Sequence, residues 1–167
     1  AKDLTLENTD FESLRENLSY LPRLVTLKLS RIQCTPTEIQ ELHEAYPKLK
    51  LTYTVELLGK EMDWDTEELD LSGLQREDVA QTAEKLPLLT ALRTVELMDA
   101  AGGCDLTPQD VAALQAETEA HFHYVFDLFG KQVSTDDERI EFRNMRLGEK
   151  YEDELRQGLE ILRDCDY

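Results

Sequence analysis

Two imidazoles one residue apart, in His121-Phe122-His123, are the pair in this sequence whose spacing most suggests chemistry. Side chains alternate across an extended strand, so both rings share one face, a spacing that some metal sites use, with Asp127 at the same parity as a third ligand. Neither a third His nor a helical Glu motif accompanies them, so the pair reads as surface rather than as a metal centre. Asp63-x-Asp65 and Asp136-Asp137-Glu138 resemble pieces of acidic calcium loops but lack the full ligand series and its central Gly. Cys34, Cys104 and Cys165 are odd in number and widely spread, which argues for free thiols over a disulfide framework or a zinc cluster. The sequence contains no G-x-S-x-G elbow, Walker loop, G-x-G-x-x-G or HExxH. A hydrolase using two carboxylates stays a remote reading, because 36 acidic residues offer too many pairs to select one. No catalytic residue, metal ligand or cofactor is therefore assigned.

The acids matter more as a population. Over 167 residues, 18 Lys and Arg oppose 36 Asp and Glu, a net charge of −18. Such a surface repels nucleic acid and anionic membranes. No apolar run reaches the roughly 18 to 20 residues a membrane helix needs, and mean hydropathy is −0.50. Residues 67–137 hold 15 of the acids against 4 basic residues, so a basic partner is expected there if anywhere.

The elements that position these residues come from an internal repeat. Tyr53-Thr-Val-Glu-Leu-Leu-Gly-Lys60 recurs 71 positions later as Tyr124-Val-Phe-Asp-Leu-Phe-Gly-Lys131. Thr35-Pro36 recurs as Thr107-Pro108, and Leu4-Thr-Leu6 as Leu69-Asp-Leu71. Residues 1–167 thus form a single array with units of about 1–66 and 67–137 and a partial 138–167.

Each unit has the same inner rhythm. Leu4-Thr-Leu6 is a short strand, and Phe11, Leu14, Leu18 and Leu21 follow at helical spacing. Leu24 to Leu29 is a second strand, and Thr35, Pro36 and Glu38 form the N-cap, first turn and capping box of a second helix. Pro47 ends that helix, and a third strand over 49–58 runs into a Gly59-Lys60 turn and a short hairpin through Met62 and Trp64. The second unit gives strands at 69–71, 95–97 and 122–129 with helices over about 75–86 and 107–119. The third gives a strand at Ile140–Phe142 and a helix over about 149–163.

Strands alternating with helices every 23 to 28 residues, with Leu at matched places, are the plan of a leucine-rich repeat. Leu-Pro-x-Leu-x-x-Leu-x-Leu at Leu21–Leu29, and Val55-Glu-Leu-Leu-Gly-Lys60 followed by Asp65-Thr-Glu-Glu-Leu-Asp-Leu-Ser-Gly73, resemble the leucine-rich-repeat-like segments of secreted or surface-attached proteins of Gram-positive gut bacteria. The resemblance implies an α/β right-handed solenoid placed outside the cell or on its surface; the Gly-Lys hairpin and the Trp64-Asp65 or Thr135-Asp136 insert depart from the family pattern as irregular hairpin inserts.

With Leu51, Tyr53, Val55 and Leu57 inward, the opposite parity faces out. That parity supplies the candidate ligand-binding residues: Lys28, Thr54, Glu56, Asp70, Glu96, His123, Asp127 and Glu141. The function expected is non-catalytic binding of a protein or an extracellular glycan through this strand face. A structural spacer within a larger surface protein is the alternative.

Overall fold

The computed structural model describes residues 2–128, 131–137, 139, 141, 152, 153 and 156. The strand expected at Ile140–Phe142, the helix over 149–163 and the partial third unit fall largely or wholly outside these residues.

The chain forms two compact units: residues 1–67 with 81–92, and residues 68–80 with 93 onward. In the first stretch, β1 (Asp3–Glu7), α1 (Phe11–Leu18), β2 (Thr26–Ser30), α2 (Pro36–Ala45), β3 (Lys50–Leu57) and β4 (Lys60–Asp63) follow in order. The second stretch runs β5 (Glu68–Asp70), α3 (Val79–Lys85), β6 (Thr94–Glu96), α4 (Pro108–Gln115), β7 (His121–His123), β8 (Val125–Leu128) and β9 (Lys131–Ser134). Single turns of 3-10 helix at Arg76–Asp78 and Leu86–Leu88 flank α3. The continuous helix expected over 75–86 is thus a short α-helix between two tighter turns, the second of them holding Pro87, which has no N–H to donate.

Local chemistry sets the helix starts. Asp10 caps α1 by accepting from the Ser13 N–H at 2.9 Å. Thr35 Oγ1 accepts from the Glu38 N–H at 3.3 Å while Glu38 Oε2 accepts from the Thr35 N–H at 2.7 Å, a complete capping box. Thr107 and Asp110 repeat it on α4 at 3.3 and 2.8 Å. Each box satisfies donors that the first helical turn leaves without intrahelical partners.

The solenoid does not form. Three small sheets replace the single parallel sheet that a leucine-rich repeat requires: β1-β2-β3-β4, β5-β6-β7 and β8-β9. The β1-β2-β3 and β5-β6-β7 pairings are parallel, but β3-β4 and β8-β9 are antiparallel hairpins. The physical reason lies at Leu58 and Gly59, whose φ angles of 49° and 71° have the sign pattern of a type I′ turn. That turn matches the twist of two adjacent strands and returns the chain antiparallel. β4 then occupies the edge of β3 that the next parallel strand of a solenoid would need. The equivalent hairpin 71 residues on has the same register, Leu128 facing Lys131 as Leu57 faces Lys60.

Core packing follows strand parity. Leu27, Leu29, Leu51, Tyr53, Val55 and Leu57 are buried in the first unit with Leu14, Leu18, Ile39 and Leu42 from the helices. Leu69, Val95 and Phe122 fill matched places in the second, with Val111 and Leu114 of α4. Each unit also buries a tyrosine whose hydroxyl donates to a main-chain carbonyl, Tyr53 to Leu88 at 2.8 Å and Tyr124 to Leu106 at 3.0 Å.

Candidate functional site

The parallel register of β5, β6 and β7 aligns residues into rows across the sheet. Leu69, Val95 and Phe122 form the buried row, and two outward rows flank it: Glu68, Thr94 and His121, then Asp70, Glu96 and His123. The chain then turns back through β8 and β9, and a set of bonds around Thr135 pins the following loop beside β7. The Thr135 N–H donates to the Tyr124 carbonyl at 2.9 Å, and the Thr135 hydroxyl donates to the Phe122 carbonyl at 2.7 Å while accepting from the Tyr124 N–H at 3.0 Å. Asp137 closes the same loop by accepting from the Ser134 N–H at 3.0 Å.

That loop delivers Asp136 to the two imidazoles. Its Oδ1 lies 2.7 Å from His121 Nε2 and its Oδ2 lies 3.1 Å from His123 Nε2. On the other side of the ring, His123 Nδ1 lies 2.6 Å from Glu96 Oε2, and Glu96 Oε1 accepts from the Met98 N–H at 2.8 Å. Both nitrogens of His123 therefore face carboxylates. A neutral imidazole has one N–H, so only the imidazolium can donate to both. The Glu96 hydrogen bond accordingly raises the His123 pKa above its ordinary value against a smaller opposing effect of burial, and the negative charges of Glu96 and Asp136 add to the rise.

This arrangement limits the chemistry available. A general base needs an accessible lone pair, and both His123 nitrogens are engaged. Among the described residues, no group of three or more His, Cys, Asp or Glu side chains is arranged to hold a metal ion. The cluster is a half-exposed, hydrogen-bonded row of carboxylates and imidazoles on the outward face of the sheet.

The other residues of the expected stripe are distributed as follows. Asp70 is exposed and in register with Glu96, with its Oδ1 accepting from the Ser72 N–H at 3.0 Å. Lys28 is exposed on β2, paired across the sheet with Thr5 and Thr52. Glu56 is exposed on β3, 3.9 Å from Arg31. Thr54 has the outward parity but is only 6% exposed, because the loop after β2 folds over it. The Arg31 N–H donates to Thr54 Oγ1 at 2.9 Å, the Ile32 N–H donates to its carbonyl at 3.0 Å, and its hydroxyl donates to Glu61. Thr54 is thus a structural latch, not part of an open face. Asp127 is exposed on β8, opposite Gln132, and Asp136 takes the place beside the imidazoles that spacing suggested for it. Glu141 is half-exposed and ion-paired to Arg139 at 2.7 Å.

Of the eight stripe residues, the structure joins Glu96 directly to His123 and aligns Asp70 with them. Asp136 was legible only as one of a run of acids, since its role depends on where the second hairpin returns the chain. Cys34 is buried and its thiol is pushed up to about 11, chiefly by desolvation, so it is a packed thiol rather than a nucleophile.

Searches of protein-family models, of curated proteins and of solved structures find no match to this chain, so the site is read from its own geometry.

Proposed function

We propose that the chain is a non-catalytic binding module whose second unit takes a basic segment of a partner protein on the outward face of β5, β6 and β7. The observation that carries this reading is the row of Asp70, Glu96 and His123 in parallel register, with Asp136 brought alongside. The excess of 15 acids over 4 basic residues across 67–137 supplies the long-range attraction that would steer a cation to it. A sheet face presents such charges at fixed spacing, which favours an extended segment with Lys or Arg at alternate positions.

The test is calorimetric titration of an extended Lys/Arg-alternating peptide into the protein, alongside the Asp70→Asn/Glu96→Gln double variant. Binding should weaken about tenfold in the double variant, a change of about 1.4 kcal/mol, and should fall as salt is raised. Absence of binding, or binding indifferent to the two substitutions, refutes the assignment.

A further inference from the structure

We infer that the first unit carries a second, separate binding site, a pocket around Trp64 that takes a neutral sugar ring. Its cavity of about 300 Å³ lies among Trp64, Tyr53, Gln40, His43 and Thr90, drawn from β3, α2, the loop after β4 and the segment after α3. The placement of Trp64 is built into the hairpin. Its N–H donates to the Tyr53 carbonyl at 3.1 Å and its carbonyl accepts from the Thr90 N–H at 3.1 Å, which fixes the indole 6.1 Å from the Tyr53 ring.

The chemistry of the lining selects the ligand. Among the described residues no Asp, Glu, Lys or Arg lines this cavity, in a chain whose net charge is −18, which favours an uncharged ligand there. What the pocket offers is an indole for a C–H-rich surface and, for hydrogen bonding, the Gln40 amide oxygen, whose amide nitrogen donates to Glu44 at 3.0 Å, with an imidazole and a hydroxyl. A purely apolar ligand would strip water from Gln40, His43 and Thr90 without replacing its hydrogen bonds, which is unfavourable. A pyranose ring has an apolar face and a hydroxyl edge and meets both demands. The volume, at the low end for small-molecule sites, suits one ring rather than a chain of them.

The chain has a single tryptophan, so its emission reports on this pocket alone. Methyl glycosides of glucose, galactose, mannose and N-acetylglucosamine should be titrated singly against the intact protein, with indole as an apolar control. The expected result is a saturable change in emission with at least one sugar, and loss of about tenfold or more in its affinity in Gln40→Ala and in His43→Ala. Both residues are exposed on α2, so those variants keep the fold, as circular dichroism would verify. No saturable response to any sugar, a response to indole alone, or sugar binding unchanged in both variants overturns the inference. The Asp70→Asn/Glu96→Gln variant should bind the sugar normally, so failure of this site and failure of the acidic face are told apart.

Discussion

Replacing Tyr53 and Tyr124 by Phe tests the packing of both units through one atom each. Each hydroxyl is buried and donates to a carbonyl, of Leu88 at 2.8 Å and of Leu106 at 3.0 Å. Phe keeps the ring contacts with Trp64 and Phe126 but leaves those carbonyls without that donor, at a cost of about 1–2 kcal/mol per site near neutral pH. The same burial pushes both phenols up to about 12, mainly by desolvation of the phenolate. A tyrosine whose pKa is raised on folding holds its proton more tightly in the native state. The stability it contributes is complete below the unfolded value near 10 and is lost as pH rises from 10 through 12. At pH 11 about 1.4 kcal/mol per tyrosine has gone, and past pH 12 about 2–3 kcal/mol. Urea melts of the wild type and the double variant, followed by circular dichroism at pH 7 and pH 11, should therefore show the wild-type advantage of about 2–4 kcal/mol shrink to near zero. Taking the difference between the two proteins removes the contributions of Lys and Cys, which they share. An advantage that stayed constant between the two pH values would show that these hydroxyls are not buried donors.

Three shorter predictions address the hairpin, the latch and the histidine. Leu58 sits at φ 49° and is 39% exposed, so Leu58→Asn should raise stability by about 0.5–1 kcal/mol in a urea melt, since Asn accepts the left-handed region that Leu resists. Thr54→Val removes the acceptor for the Arg31 N–H and should cost about 1–2 kcal/mol, against almost nothing for Lys28→Ala on the open face of the same sheet; equal costs would contradict the latch. Because the His123 pKa is raised in the folded state, its stabilisation is fully present below the unfolded value near 6.5 and disappears as pH climbs through the raised one. Melts of wild type and His123→Gln should differ most at pH 5–6 and converge at alkaline pH, with a gap below about 1 kcal/mol because the site is more than a third exposed.

How far the sequence could be read depended on the range of the physics involved. Capping is local: Thr35-Pro36-Thr37-Glu38 and Thr107-Pro108-Gln109-Asp110 need only their own neighbours, and both boxes form. Strand parity is nearly as local, and it placed Leu51, Tyr53, Val55 and Phe122 inside. It failed at Thr54, where the covering loop comes from β2, 23 residues earlier. The architecture failed for a related reason. Gly59-Lys60 marked a turn into a short hairpin, which β3 and β4 form, but the hairpin was expected as an insert in a solenoid and instead takes the edge of β3; it turns on positive φ at two consecutive residues, the first of them Leu58, which composition would not nominate. The pocket and the histidine cluster lay further out of reach, since Trp64 and Gln40 come to line one cavity, and Asp136 meets His121, only after the hairpins close.

The hairpins also bear on the distribution of acid. An open parallel sheet leaves an end strand with unpaired backbone groups, and proteins blunt such edges with charge or with short strands. β1 is an end strand of its sheet and carries Asp3 and Glu7 on exposed positions; β5 is an end strand of the next, spans only three residues and carries Glu68 and Asp70. The acids that discourage strand addition at β5 are in the same rows as Glu96 and His121. The same carboxylates therefore stand both on an end strand among the described residues and on the face proposed above to take a basic segment. A partner that binds there must do so through side chains lying across the face, because pairing its backbone to β5 would set its own residues against Glu68 and Asp70 only at the rim.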